Sequence, residues 1–177
     1  MNKRISIPRS LAVAALLASA SGVWAQVPVP VLATQGFADT CFSPFLTAET
    51  ARSRLMSRDI RVEFYDLLPF SDAAPSPVTG RAATGGTDRR CEVAFDGDHG
   101  VRAAQAAMLG LTTEGITSDA ALPTTHSEAR VPGTTLLAAR NLNPKRIAVV
   151  HTGTRPGPNG IETFLMVERM TPLEPVQ

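Results

Sequence analysis

Two cysteines, three histidines and one concentration of arginines are the residues of this chain whose types and spacing could do chemistry. Cys41 and Cys91 are the whole cysteine complement and stand 50 positions apart. That spacing is unlike the C-x-x-C of a redox or metal pair, and an even count reads as one structural disulfide. Closing so long a loop contributes at most ~4 kcal/mol through chain entropy. His99, His126 and His151 lie 27 and 25 positions apart, so no local metal-ligand spacing forms. His151, beside Val149 on an expected strand, reads as a surface residue at a hairpin end. Asp96-Gly97-Asp98-His99 is the densest polar cluster, but Val101 stands where a calcium loop needs glycine and no Glu follows at the twelfth position. It reads as a tight turn that caps a helix.

The common catalytic motifs are missing. There is no G-x-S-x-G elbow, and Gly85-Gly86 opens onto a strand with no lysine after it, so it is no phosphate loop. Paired cysteines leave no thiol nucleophile. The sequence therefore assigns no catalytic residue, metal or cofactor. Its one charged concentration is Arg52, Arg54, Arg58 and Arg61, which with Arg89 and Arg90 makes a candidate anion-binding patch. The alternative is a solvated helix face paired with Glu49, Asp59 and Glu63.

Composition bounds the partners. The chain has 177 residues, with 17 Lys+Arg against 16 Asp+Glu. Lys3, Arg4 and Arg9 precede an apolar run from Leu11 to Val23, and Val23-Trp24-Ala25 offers a cleavage site before Gln26. Residues 1–25 thus read as a signal peptide for export to the periplasm or outside the cell. Removing them leaves 14 basic residues against 16 acidic, a net charge of about −2, which argues against nucleic acid as a partner. No later stretch approaches eighteen apolar residues, so no transmembrane anchor is expected after cleavage. What remains suits a single domain.

The elements that must position these residues follow from periodicity. Residues 26–40 open with Val-Pro-Val-Pro-Val-Leu and read as an extended N-terminal segment. A helix is expected within 43–58, capped by Thr47 with Leu46 and Ala51 as a hydrophobic staple, or starting at Ser43-Pro44. Ile60 to Tyr65 alternates as a half-buried strand, with Ile60, Val62 and Phe64 inward. A polar connection at 71–88 leads to a second strand, Arg90 to Phe95, with Cys91, Val93 and Phe95 inward. Val101, Ala104, Met108 and Leu111 mark one helical face, stopped by Gly115. Residues 117–135 are a polar connection, and Thr134 to Asn141 reads as a short strand. Arg146 to Thr152 and Ile161 to Met170 form a hairpin across a turn-rich loop at 155–160, and 171–177 is a flexible tail.

This order predicts one α+β domain over 41–170: a small antiparallel sheet with two helices on one face, ferredoxin-like or tandem αββ. The topology carries Cys41 and Cys91 to the same end of the domain, within reach of a bridge. Arg90 to Ile116 is a strand, a Phe-Asp-Gly turn, an Ala-rich helix and Glu-Gly-Ile. It resembles the second half of a SPOR-type glycan-binding domain, and the preceding helix and strand to Phe64 resemble the first half. That resemblance implies cell-wall glycan as a ligand. The residues themselves point to an exported, non-enzymatic binding module, contacting another envelope protein or a cell-wall polymer. The alternative is a small hydrolase or metal-dependent enzyme that brings His99 or His151 to Asp96 or Asp98 in three dimensions.

Overall fold

The computed structural model describes residues 27–126 and 131–171. The expected signal peptide, and 172–177 of the expected tail, lie outside the described residues.

The chain forms α1 (Val29–Thr40), α2 (Ala48–Leu55), β1 (Ile60–Asp66), β2 (Thr87–Asp96), α3 (Gly100–Thr113), β3 (Asp119–Ala120), β4 (Thr134–Asn143), β5 (Arg146–Gly157) and β6 (Gly160–Met170), with one 3-10 turn at Thr124–His126. The strands make one sheet in the order β1-β2-β6-β5-β4-β3, and every pair is antiparallel. A ferredoxin-like plan is overturned, since it needs a strand ahead of the first helix, and residues 29–40 are themselves a helix. The tandem αββ plan is closer: α2 leads the β1–β2 hairpin, and α3 leads the meander β4–β5–β6. The two halves join where β2 meets β6.

Residues 29–40 are helical, not extended. Pro28 is the N-cap residue and Pro30 sits in the first turn. The first amides of a helix have no intrahelical acceptor, so a proline there sacrifices nothing. Past that turn, Ala33 and Phe37 face the core. The fold thus has three helices on the sheet rather than two. α2 starts as one of the two expectations had it, with the Thr47 side chain accepting from the Thr50 amide at 3.2 Å.

The main core lies between the helices and one sheet face. It gathers Ile60, Phe64, Val93, Phe95, Val150 and Leu165 from the strands, under α1, α2 and α3. The face that α3 turns inward differs from the expected one. Ala103, Ala107, Gly110 and Leu111 are buried, whereas Val101 is 71% and Met108 40% exposed. Small residues win here because α1 lies close against α3. A methyl at Gly110 would collide with the Phe42 ring and crowd the Ala38 carbonyl. The last hairpin is also longer than expected, since β5 and β6 pair as far as Gly157↔Gly160.

Cys41, just past α1, bonds Cys91 on β2, with Cα atoms 5.6 Å apart. The bridge fixes the helix layer to the sheet at the end where β2 begins. Reduction, or Cys41→Ser, is expected to lower the unfolding free energy by ~2–4 kcal/mol. Denaturant titration with and without reductant measures this, and superimposable curves would show that the bridge does not constrain the unfolded chain.

Candidate functional site

Strand alternation sends neighbouring side chains of β2 to opposite faces, so Arg89 and Arg90 part company. Arg89 lies on the helix side and Arg90 on the other, and the two faces carry different charge arrangements.

On the face away from the helices, Glu168 is fully buried. Its Oε1 accepts from Arg90 Nε at 2.8 Å, and its Oε2 accepts from His126 Nε2 at 2.7 Å. Burial pushes this carboxyl up, but the bond from His126 and the charge of Arg90 outweigh it and hold it below the ordinary glutamate value. Arg90 also donates to the carbonyls of Arg81 and Ala82, at 3.2 and 3.3 Å. The polar connection before β2 is thereby folded over the sheet, and Tyr65 beneath it is buried rather than solvated. Further along, Asp96, Arg61, Glu162, Arg155, Glu92 and Arg81 form a chain of alternating sign, with contacts from 2.6 to 3.3 Å. A polar cavity of ≈ 190 Å³ opens beside it, lined by Arg61, Glu92, Arg155 and Glu162 among others. Each of these four charges is already claimed by another.

The opposite face holds a different site, at the disulfide end. A cavity of ≈ 280 Å³ opens there beside Cys41 and Cys91. Its apolar walls are Phe42 and Pro44 after α1, Phe70 from the first long connection, Ile116 after α3, and Leu142, Ala148 and Val167 from the sheet. Its charged members are Arg89, Arg146, Arg169 and the exposed Glu114. Arg89 donates to the carbonyls of Pro44 and Leu46, at 3.2 and 2.8 Å, and so holds the segment before α2 in place. Burial, partly offset by Asp66, pulls its pKa down to about 10, so it remains a cation at neutral pH.

The pairing of β2 with β6 shifts register between Thr87 and Arg89, which leaves Asp88 as an extra residue. Its carboxylate meets the arginines. Arg169 donates to Asp88 at 2.7 Å, to Asp66 at 2.8 Å and to the Leu68 carbonyl at 2.7 Å. Arg146 Nε lies 3.2 Å from the second Asp88 oxygen, as an ion pair without hydrogen-bond alignment. Among the described residues Arg146 makes no hydrogen bond. At the mouth, Phe70 is 67% exposed and stacks edge-on with exposed Phe45, at 5.5 Å between ring centres.

The sequence-based arginine patch does not assemble. Arg52, Arg54 and Arg58 are exposed on and after α2. Arg61 and Arg90 are taken up in ion pairs away from the helices, and Arg89 stands alone on the helix side. The arginines at the cavity, Arg146 and Arg169, were not in the patch. Only their place at the start of β5 and the end of β6 brings them to Arg89, and no spacing in the sequence reveals that.

No family model, curated protein or solved structure matches this chain. The histidines are separately engaged. His99 stacks on Phe95 at 5.7 Å, and Asp96 pairs with Arg61 and Asn159. His151 is only 7% exposed, not a surface residue, and shares a 3.0 Å hydrogen bond with Thr134. Thr125, His126 and Glu168 do line up hydroxyl, imidazole and carboxylate, at 3.1 and 2.7 Å. Neither the disulfide-end cavity nor the polar one is lined by them. No group of three metal-ligating side chains gathers among the described residues.

Two predictions follow from the buried charges. Glu168→Gln leaves Arg90 buried without its counter-charge and is expected to destabilise the fold by ~3–5 kcal/mol. A loss under 1 kcal/mol in denaturant titration would mean that Arg90 reaches water. Burial, with Arg81 and His126 adding to it, pushes His151 down to about 4. The unfolded chain, with histidine near ~6.5, then binds more protons between the two values. Stability is full above that window and falls by up to ~3 kcal/mol as pH drops from 6.5 to 4. His151→Gln should flatten this stretch of a melting-temperature profile. Glu168, whose folded value is depressed, acts below its unfolded value and leaves the more acid limb in place.

Proposed function

We propose that this chain is an exported, non-enzymatic binding module that holds its ligand in the disulfide-end cavity. The observation that carries the reading is an apolar cavity with an arginine at its edge that no hydrogen bond from the described residues claims. Such a combination of apolar walls and a few placed polar groups is what ligand sites share. The exposed Phe45–Phe70 pair extends the apolar surface outward from the mouth. The three histidines lie away from this cavity, His126 engaged with Glu168, His151 with Thr134 and His99 with Phe95. Export draws support from the Cys41–Cys91 bridge, which oxidising compartments permit. Among the described residues no helix is long and apolar enough to cross a membrane.

Mass spectrometry of the protein recovered from cells tests the reading. The denatured mass is expected to match Gln26 onward, two hydrogens light for the disulfide. The native spectrum is expected to carry extra mass, which Leu142→Trp, a larger side chain in the cavity wall, removes. A bare native protein, together with no adduct from a photo-crosslinker placed at Phe70 in intact cells, would overturn it. An adduct to an envelope protein or to cell-wall polymer would move the contact from a small ligand to a macromolecule.

A further inference from the structure

We infer that the disulfide-end cavity takes a small amphiphilic monocarboxylate, its apolar body between Phe42, Phe70 and Leu142 and its carboxylate on the guanidinium of Arg146. This rests on the binding-module reading and names the ligand class of the same site.

Charge balance is the first ground. Three arginines, Arg89, Arg146 and Arg169, meet two carboxylates, Asp66 and Asp88. Within this ion-paired cluster one positive charge is in excess. Exposed Glu114 lines the same cavity but makes no ion pair among the described residues and is screened by solvent, so the site has room for one negative charge and not two. The distribution of hydrogen bonds says which arginine carries the excess. Arg89 spends its terminal nitrogens on two backbone carbonyls, and Arg169 commits Nε and one terminal nitrogen to both aspartates and the Leu68 carbonyl. Arg146 has only the 3.2 Å approach to Asp88, which orients the side chain and leaves its fork of terminal N–H groups among the described residues without an acceptor. A planar fork of two N–H donors matches the two oxygens of a carboxylate. The Arg146 side chain is 32% exposed, so a ligand entering from solvent can reach it.

The second ground is size. A cavity of ≈ 280 Å³ falls just below the ~300–1,000 Å³ usual for ligand pockets. It admits a short alkyl chain or a single ring, not a whole lipid. Its wall atoms are mainly apolar, so the hydrophobic gain comes from the tail and the orientation from the head. Glu114 on the rim makes no ion pair among the described residues, and it disfavours a second negative charge on the ligand.

Titration calorimetry on the purified protein with its disulfide intact, using octanoate, octan-1-ol, octyl phosphate and octyltrimethylammonium, tests this. Octanoate is expected to bind one to one, at least tenfold tighter than any of the other three. Arg146→Gln should weaken octanoate at least tenfold and leave octan-1-ol within twofold. Leu142→Trp should abolish both. Octan-1-ol or octyl phosphate binding as tightly as octanoate, or Arg146→Gln leaving octanoate unchanged, overturns the monocarboxylate and leaves a binding module standing. If no probe binds, the ligand class falls. The native mass of the protein recovered from cells then decides separately whether the module reading falls with it. Circular dichroism melts of both variants, matching the parent, keep loss of binding distinct from loss of fold.

Discussion

Glu168 is a carboxylate with no exposure to water, and a buried charge must be met in place or the fold cannot keep it. It sits near the end of β6, in the strand that joins the two halves of the sheet. Arg90 meets it from β2 and His126 from the turn before β4. Each of those partners brings something with it. Arg90 holds the carbonyls of Arg81 and Ala82, which draws the first long connection across the sheet. His126 anchors the second connection. Two segments that look like unstructured polar linkers thereby become the cover of a sheet face, and Tyr65, Met166 and Val149 are buried beneath as a result.

The other sheet face solves the same problem incompletely. Asp66 and Asp88 accept from Arg169 with good geometry, yet the second oxygen of each aspartate and the Nε of Arg89 are buried without a hydrogen bond. Ion-pair approaches of 3.2 and 3.5 Å partly compensate. The arrangement is tight enough to hold three arginines together and loose enough to leave one available. The contrast with the network around Glu168 is that between a charge cluster whose members are all met and one in which Arg146 makes an ion pair but no hydrogen bond among the described residues. Neighbouring residues of one strand, Arg89 and Arg90, serve the two kinds.

Much of the layout was legible in the chain. The alternation of Ile60, Val62 and Phe64, the cap at Thr47 and the shared end of Cys41 and Cys91 depend on local rules, and those rules held. The failures share a cause, which is long-range packing. Val-Pro-Val-Pro looks extended until the core needs a third helix and Phe37 supplies its contact. Val101 and Met108 look like a buried stripe, but the close approach of α1 selects Ala103, Ala107 and Gly110. The polarity of 71–88 hid its role as a lid over charged residues. The site was less legible than the fold. Cys91 and Arg89 were singled out, but Asp88 gains its meaning only from the register between β2 and β6, and Arg146 only from that between β5 and β6, and register cannot be read from composition or spacing.

That same pairing orders events in time. β2 has one neighbour, β1, close behind it in the chain, and a second, β6, some seventy residues ahead. A chain emerging amino end first can form the β1–β2 hairpin, seat α1 and α2 on it and close the cysteine bridge well before β6 exists. Until β6 arrives, the inner edge of β2 presents a row of unpaired amides and carbonyls, with Val93 and Phe95 beside it. Pairings of such sequence separation close slowly. The half-built domain is therefore at its most vulnerable to association with other chains while its covalent staple is already in place. The β2 edge is then open in addition to the outer edge of β1, which stays at the border of the finished sheet.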